Sequence, residues 1–351
     1  MENGITYRLA NANDIDAINA LYNRVYNRNR TADKFIWEFN SAPAGKAIYV
    51  IALEGEKVVG TQCAIPYFLI NGKGEKSLTA KSEDTLVDTN YRGLKIFDKM
   101  YALMIDECRK NDIQLIWGFT YAVKPFKKIG FDIPFESCMG ILVLKPAPAY
   151  LFLKNLNQKN NWLAKFKINL LCIKSYFDFL RLSKPKHSDE FTEKHLALNS
   201  GTLNYLHNSE CTGLLLDEAF LNYRLYTNPY SKNNFQFTIS QNDKILFSAF
   251  YTINNGVGYL LHLFFDTAVK NNSEFIKTLI FKSDLKNCNI IRFWGFNHNS
   301  LTVNEVNVLK KCHFTFINRG ISFVGLKLSP KLNLDLKLLA VSRLASQGTD
   351  Q

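Results

Sequence analysis

The residues best placed to do chemistry fall in one run: Ser82-Glu83-Asp84-Thr85-Leu86-Val87-Asp88-Thr89-Asn90-Tyr91-Arg92-Gly93-Leu94-Lys95-Ile96-Phe97. Its pattern is a β-strand, a tight turn and the start of a helix. The unpaired amides and positive dipole end at a helix start favour an anion such as phosphate. Arg92 and Lys95 add positive charge, and Gly93 permits close backbone approach. An Arg-Gly turn before a helix is equally what an ordinary cap looks like, so on the residues alone both readings stand.

Other chemistries find little footing. Six histidines (His187, His195, His207, His262, His298, His313) form no HxxxH or HExxH, and none pairs with a cysteine at metal-ligand spacing, so no metal site is expected. GxSxG and GxxxxGKS/T are missing, as are helix-turn-helix and zinc-finger signatures. No nucleic-acid partner is therefore expected. A second polar-aromatic group, Arg224, Tyr226, Asn228 and Tyr230, reads either as a sugar-binding surface or as an ordinary hairpin edge.

These residues need a scaffold, and the chain supplies one. Its 351 residues are 47% hydrophobic, 13% aromatic and 21% charged, which excludes a disordered tail, a collagen-like fibre and a disulfide miniprotein. Forty-three Lys+Arg against 31 Asp+Glu give +12, favouring an anionic partner. Seven scattered cysteines without CxxC, a start lacking an export signal and no apolar run of membrane-spanning length predict a cytoplasmic protein with reduced thiols.

Periodicity predicts a strand at 7–10 and a helix capped by Asn13 or Asp14 with Ile15, Ile18 and Leu21 inward. A strand pair follows over 47–53 and 57–65, then a hairpin at Asn71-Gly72-Lys73-Gly74 and a strand through 79–87. A helix to about Lys110 and a strand over 113–119 complete this α/β part with a mixed sheet. Between Lys154 and Lys186, eight Lys/Arg and one acid, Asp178, interleave with Trp162, Phe166, Leu170, Phe177 and other apolar residues. This reads as a helical connector packed between domains, or as a basic amphipathic surface touching a membrane or a lipid-linked substrate.

Beyond residue 190 the pattern returns. Phe35-Ile36-Trp37-Glu38, with Trp37 six residues before Pro43, is echoed by Phe220-Leu221-Asn222-Tyr223-Arg224, with Tyr223 six before Pro229. A strand pair follows each. Ile116-Trp117-Gly118-Phe119 is echoed by Phe293-Trp294-Gly295-Phe296, and Lys127-Lys128-Ile129-Gly130-Phe131 by Lys310-Lys311-Cys312-His313-Phe314. Four features in the same order predict a duplicated domain: 1–140, a connector over 141–190, a second copy over 191–330 and a tail, 331–351.

The strand, turn, helix, strand and final Lys127-Lys128-Ile129-Gly130-Phe131 resemble the GNAT superfamily of acyl-CoA-dependent N-acyltransferases. Its motifs, roughly L-x-V-x-P-x-Y-R-G-x-G-I and Y-x-K-x-G-F, correspond to Thr85–Ile96 and Phe126–Phe131. The resemblance covers about residues 5–140 well and 190–328 more weakly. It is similar to bacterial tandem-GNAT proteins associated with surface polysaccharides, and distantly to Fem-type aminoacyl transferases. It implies an α/β (α+β) fold of two GNAT-like domains, each a mixed, mostly antiparallel sheet flanked by helices.

The resemblance also implies roles. The backbone of Leu86 and Val87 would bind the pantetheine arm of acetyl-CoA, and the amides of Arg92, Gly93, Leu94, Lys95, Ile96 and Phe97 its pyrophosphate. Glu83 would be the base that takes a proton from the acceptor amine, because an ammonium is no nucleophile. Asp84 is its rival, since strand alternation sends the two to opposite faces. Two positions depart from the family: Lys95 replaces the second glycine of the turn, and Phe126 replaces the tyrosine acid, leaving Tyr121 or water to protonate the thiolate. In the second copy, Leu263–Lys270 lacks the Arg-Gly pair. The expected function is acetyl transfer to a primary amine, with an amino sugar of a surface glycan as the implied acceptor. The alternatives are a non-catalytic binding module and a Fem-type aminoacyl transferase.

Overall fold

A computed structural model describes residues 4–156, 161–186, 191–198, 212–230, 233–269, 271–296 and 304–345, the side chains of Phe296 and Arg319 excepted. Its strands are β1 (Ile5–Leu9), β2 (Ile48–Glu54), β3 (Lys57–Ile70), β4 (Lys76–Val87), β5 (Leu115–Thr120), β6 (Glu136–Val143), β7 (Thr192–Ala197), β8 (Gly213–Leu214), β9 (Asn234–Gln241), β10 (Lys244–Asn254), β11 (Val257–Phe265), β12 (Ile290–Phe296) and β13 (Thr315–Lys327). The helices are α1 (Ile15–Tyr26), α2 (Ala32–Asn40), α3 (Ile96–Lys110), α4 (Val123–Lys128), α5 (Pro146–Leu156), α6 (Trp162–Leu180), α7 (Glu218–Leu221), α8 (Asn272–Lys282) and α9 (Glu305–Lys311).

Two compact units result, and neither is continuous in sequence. One contains Met1–Pro134, Thr212–Pro229 and Ser322–Leu339; the other contains Phe135–Cys211, Tyr230–Ile321 and Ala340–Gln351. The contiguous division at 140, 190 and 330 therefore differs from the compact units. The reason is an exchange of final strands: β5 pairs antiparallel with the end of β13 (Thr120 opposite Ser322), while β6 pairs antiparallel with β12 (Val143 opposite Ile290).

In the first unit the strand order is β1-β2-β3-β4-β5 and then the end of β13, antiparallel except for β4–β5. Ile96, Met100, Met104 and Cys108 recur every four residues of α3 and are buried, together with Tyr101, against Val50, Ala52, Val59 and Ala64 of the sheet. Burying each large apolar side chain contributes about 1.5–3 kcal/mol. Asn11, rather than Asn13 or Asp14, caps the turn before α1, with Asp14 returning a bond to the Asn11 amide in a capping box. The expected hairpin forms at Asn71, whose amide donates to the Glu75 carbonyl.

The echoed motifs meet inside this same unit. Trp37 stacks on Tyr223 with ring centroids 5.0 Å apart, and its indole N–H donates to the Tyr223 carbonyl at 3.1 Å. Arg224 is buried with its guanidinium 5.1 Å from the Trp37 ring, and the buried Asn228 amide donates to the Arg224 carbonyl. The polar-aromatic group therefore turns largely inward, with Arg224 and Asn228 serving packing rather than a solvent-facing sugar platform.

The second unit repeats the first in order. Strands β9, β10 and β11 are antiparallel, β11 and β12 are parallel, α8 connects the parallel pair and α9 follows β12. The echo reaches single hydrogen bonds. The Asp88 amide donates to the Val59 carbonyl, and Asp266 does the same to Leu246. Each aspartate then accepts from the amide two residues on (Asn90, Ala268) and meets a cation (Arg24 at 2.7 Å, Lys244 at 2.6 Å). Six described cysteines are free and buried, and no described helix is long and apolar enough to cross a membrane.

Candidate active site

The feature on which the site is built is the place where β4 and β5 part. Their parallel register holds Ala80 to Ile116 and Lys81 to Trp117, then ends. Past that point β5 continues only along β13, and β4 only along β3. At the crotch a Cβ on Gly118 would stand 2.9 Å from the Ser82 carbonyl oxygen, so only glycine lets the two backbones come so close before they diverge.

Ladder geometry decides which backbone groups face the opening. The Asp88 amide donates to the Val59 carbonyl, making Gly60 and Val87 a non-hydrogen-bonded pair. The Val87 amide and carbonyl accordingly point away from β3, towards the open edge, whereas Leu86 lies in the β3 ladder. Of the two backbones expected to serve a ligand, Val87 is the one free to do so.

Between Cys63–Glu83 and Thr61–Leu86 the register slips, leaving Asp84 and Thr85 opposite Gln62 alone. This bulge puts Asp84 at φ 52°, a left-handed conformation that aspartate adopts more readily than most residues. The bulge sends its side chain inward, where it is 3% exposed. It ion-pairs with the Arg30 guanidinium at 2.9 Å and accepts from the Tyr49 hydroxyl. Arg30, 2% exposed, also reaches Glu38 at 3.4 Å, donates to Asn19 at 2.7 Å and lies over the Tyr22 ring. Burial opposes its charge, but Asp84, Tyr49 and Glu38 outweigh that and raise its pKa. Asp84 is thus committed to a buried ion pair.

Glu83 keeps 28% of its side chain exposed and ion-pairs with the buried Lys81, two residues earlier on the same strand face. Near it stands Tyr26 of α1, whose phenol is raised by burial, by Asp84 and by Glu83 against the opposing pull of Arg30 and Arg92. Beneath the fork, the Tyr101 hydroxyl lies 2.7 Å from Ser82 Oγ and 3.1 Å from Thr85 Oγ1, and Gln62 donates to Ser82 at 3.0 Å. Lys81, Tyr26, Tyr101 and Arg30 went unremarked in the sequence. Lys81 and Glu83 share a strand face by their spacing, a signal that was there to read.

The turn before α3 is exposed from Arg92 to Lys95. Gly93 has φ 88° and Lys95 φ 59°, so Lys95 adopts the left-handed conformation that a glycine favours. Ile96 is buried and Phe97 half-buried, anchoring the helix start. Among the described residues, the amides from Arg92 to Phe97 donate to no protein acceptor, and no side chain caps the helix. Six amides, two cations and the fork edge at Val87 thus share one turn of chain.

Tyr121 follows β5 directly and is 70% exposed. Phe126, at the position of the family's tyrosine, is buried, its ring 5.5 Å from Phe97, 5.4 Å from Tyr101 and 5.2 Å from Phe131. In the second unit the register of β11 also slips beside Phe250–Tyr251. The chain from Asp266 reaches α8 in six residues, against eight from Asp88 to α3, and has no Arg-Gly pair. Among the described residues no three His, Cys, Asp or Glu side chains gather as a metal site.

A mixed sheet splayed beside an open helix start defines a GNAT-type acyltransferase fold. Residues 6–133 match the family described as Acetyltransferase (GNAT) domain. Among solved structures, a probable N-acyltransferase from Enterococcus faecalis is similar with TM-score 0.64 at 13% identity, covering 92% of this chain and 72% of that one. N-myristoyltransferase of Saccharomyces cerevisiae, solved with bound myristoyl-CoA, gives TM-score 0.55 at 14% identity, covering 93% and 83%. A GCN5-related N-acetyltransferase from Kribbella flavida gives 0.54 at 10% identity, covering 92% and 72%. No curated protein sequence matches the chain.

Proposed function

We propose that the chain is an acyl-CoA-dependent N-acyltransferase, using acetyl-CoA and a primary amine, with an amino sugar of a surface glycan as the first acceptor class to test. The second unit is read as a degenerate GNAT-like copy, because its turn lacks the Arg-Gly pair. The observation that supports the reading is the parting of β4 and β5 beside unpartnered amides at the start of α3. An extended thioester arm fits the open edge at Val87 as an added strand would. A pyrophosphate fits the amides from Arg92 to Phe97, with Arg92 and Lys95 as counter-charges.

Bound acyl-CoA supplies the electrophilic thioester carbonyl. Glu83, through a water, takes a proton from the acceptor ammonium. The amine nitrogen then forms the C–N bond as the C–S bond breaks, and the Val87 amide donates to the carbonyl oxygen. The nitrogen gives up its second proton to water, and the departing sulfur is protonated by Tyr121 or by water. Lys81 fixes the Glu83 carboxylate on the strand face.

The test is mass spectrometry of amines, amino sugars included, incubated with protein and acetyl-CoA. Glu83→Gln should lower turnover by about 10²–10⁴-fold, the range for a lost general base. No amide product, together with no thermal stabilisation at millimolar acetyl-CoA, refutes the proposal. The burial of Phe126 favours a second reading, a binding module that holds acyl-CoA without transfer. Stabilisation by acetyl-CoA without turnover of any amine would select it.

A further inference from the structure

The basic amphipathic stretch of the sequence becomes, in the second unit, a helix with two unlike apolar faces. The inner face of α6 is satisfied: Cys172 is buried, Ile168 and Leu171 pack against a cluster that includes Met139, Ile141 and Val143 of β6, and Ser175 accepts the Val143 amide at 3.0 Å. The outer face carries Leu163, Phe166, Leu170, Ile173, Phe177 and Leu180, at alternating intervals of three and four, each 41–57% exposed. Trp162, 71% exposed, stands at one end. At 1.5 Å per residue this stripe is about 26 Å long. A continuous exposed seam of that kind marks an interaction surface rather than the scattered apolar residues of an ordinary exterior.

Charge identifies the occupant. Lys167, Lys174 and Arg181 recur every seven residues along one flank of the seam, and all three are exposed. The lone acid of the helix, Asp178, lies 3.9 Å from Arg181. A second copy of α6 paired antiparallel would set these cations against their own kind. Paired in parallel, it would offer them Trp162, Asn169 and Tyr176, none of them acidic. Neither arrangement supplies a counter-charge. An anionic lipid surface supplies it along the whole flank, takes the apolar face about 5–10 Å into the headgroup boundary and suits a terminal tryptophan.

We propose that α6 docks the protein on anionic membranes, lying in the plane of the surface without crossing it. The inference does not depend on acyl transfer, and its failure would leave that reading untouched.

The experiment is co-sedimentation of the full chain with vesicles of phosphatidylcholine alone and of phosphatidylcholine with 30% phosphatidylglycerol. Expected is selective binding to the anionic vesicles that weakens with salt. Neutralising a lysine near the surface should lower partitioning about fivefold, so Lys167→Gln/Lys174→Gln should lose about 25-fold. Lys73→Gln/Lys110→Gln, the same charge change elsewhere, should bind as the parent does. Phe166→Ser/Phe177→Ser should release the protein while its circular dichroism and melting stay those of the parent. No preference for anionic vesicles, or equal losses in the two lysine pairs, overturns the proposal. So does a concentration-dependent dimer abolished by Phe166→Ser/Phe177→Ser in a protein that ignores vesicles, because the occupant is then a second copy.

Discussion

Two adjacent carboxylates compete for the role of base, and Asp84→Asn separates them. The substitution keeps the shape of the side chain and removes its charge. Arg30 is then left 2% exposed without its nearest anion. Removing one partner of a buried ion pair costs about 3–5 kcal/mol. Glu38 remains 3.4 Å from the guanidinium and Asn19 still accepts from it, which places the loss at the lower end, about 3 kcal/mol. In a unit of this size each kcal/mol moves Tm by about 2–4 °C, so a fall of about 6–12 °C is expected. Glu83→Gln also takes the anion from a buried cation, Lys81, but glutamine still offers it an acceptor oxygen and Glu83 is 28% exposed. Its loss should therefore not exceed that of Asp84→Asn, and turnover is what separates the two. The assay pairs urea unfolding, followed by circular dichroism, with turnover on acetyl-CoA. If Asp84→Asn melts with the parent yet abolishes turnover, the assignment is reversed: Asp84 is the working base and the Arg30 pair is incidental.

Gly118→Ala should damage the fork itself. Its methyl would meet the Ser82 carbonyl oxygen at 2.9 Å, a backbone atom that cannot swing aside. A loss of about 1–3 kcal/mol is expected, as for other overpacked sites, together with weaker acetyl-CoA binding by calorimetry; an unchanged melting point and affinity would show that the strands do not need to approach so closely. Acid should unpick the Arg8–Asp14 pair. The bond from Arg8 holds the Asp14 carboxyl below its ordinary value of 3.8. Its contribution is therefore complete above that value and is lost as pH falls through the depressed one. Urea midpoints of the parent and Asp14→Asn should differ steadily from pH 5 to 7 and converge towards pH 2; an undiminished gap at pH 2 would rule the linkage out.

What could be read in advance was local. The turn at Arg92-Gly93 is punctuated by its own residue types, and the stripe of α3 repeats every four residues, so strand, open helix start and buried face followed from short-range rules. The fate of Asp84 did not. It depends on a bulge opposite Gln62 and on Arg30, more than fifty residues earlier, and neither leaves a mark at position 84. Arg224 misled in the opposite way: a charged residue among tyrosines looks outward-facing, yet the Trp37 and Tyr223 rings shelter it. The exposure of Tyr121 was equally hidden, because nothing in its own neighbourhood reveals where β5 stops. The exchanged strands were invisible because β6 and β13 both read simply as strands, and periodicity cannot say which partner each will choose.

That exchange has a temporal consequence. On the ribosome, everything up to Pro134 is made while β5 still lacks the partner supplied by Ser322–Lys327. At about 5–20 residues per second, the nascent sheet waits roughly 10–40 s for that stretch to emerge. Through the whole interval β5 presents a bare hydrogen-bonding edge, of the kind that recruits strands from other chains. Biogenesis of this protein should therefore lean on whatever shields that edge until synthesis is nearly over.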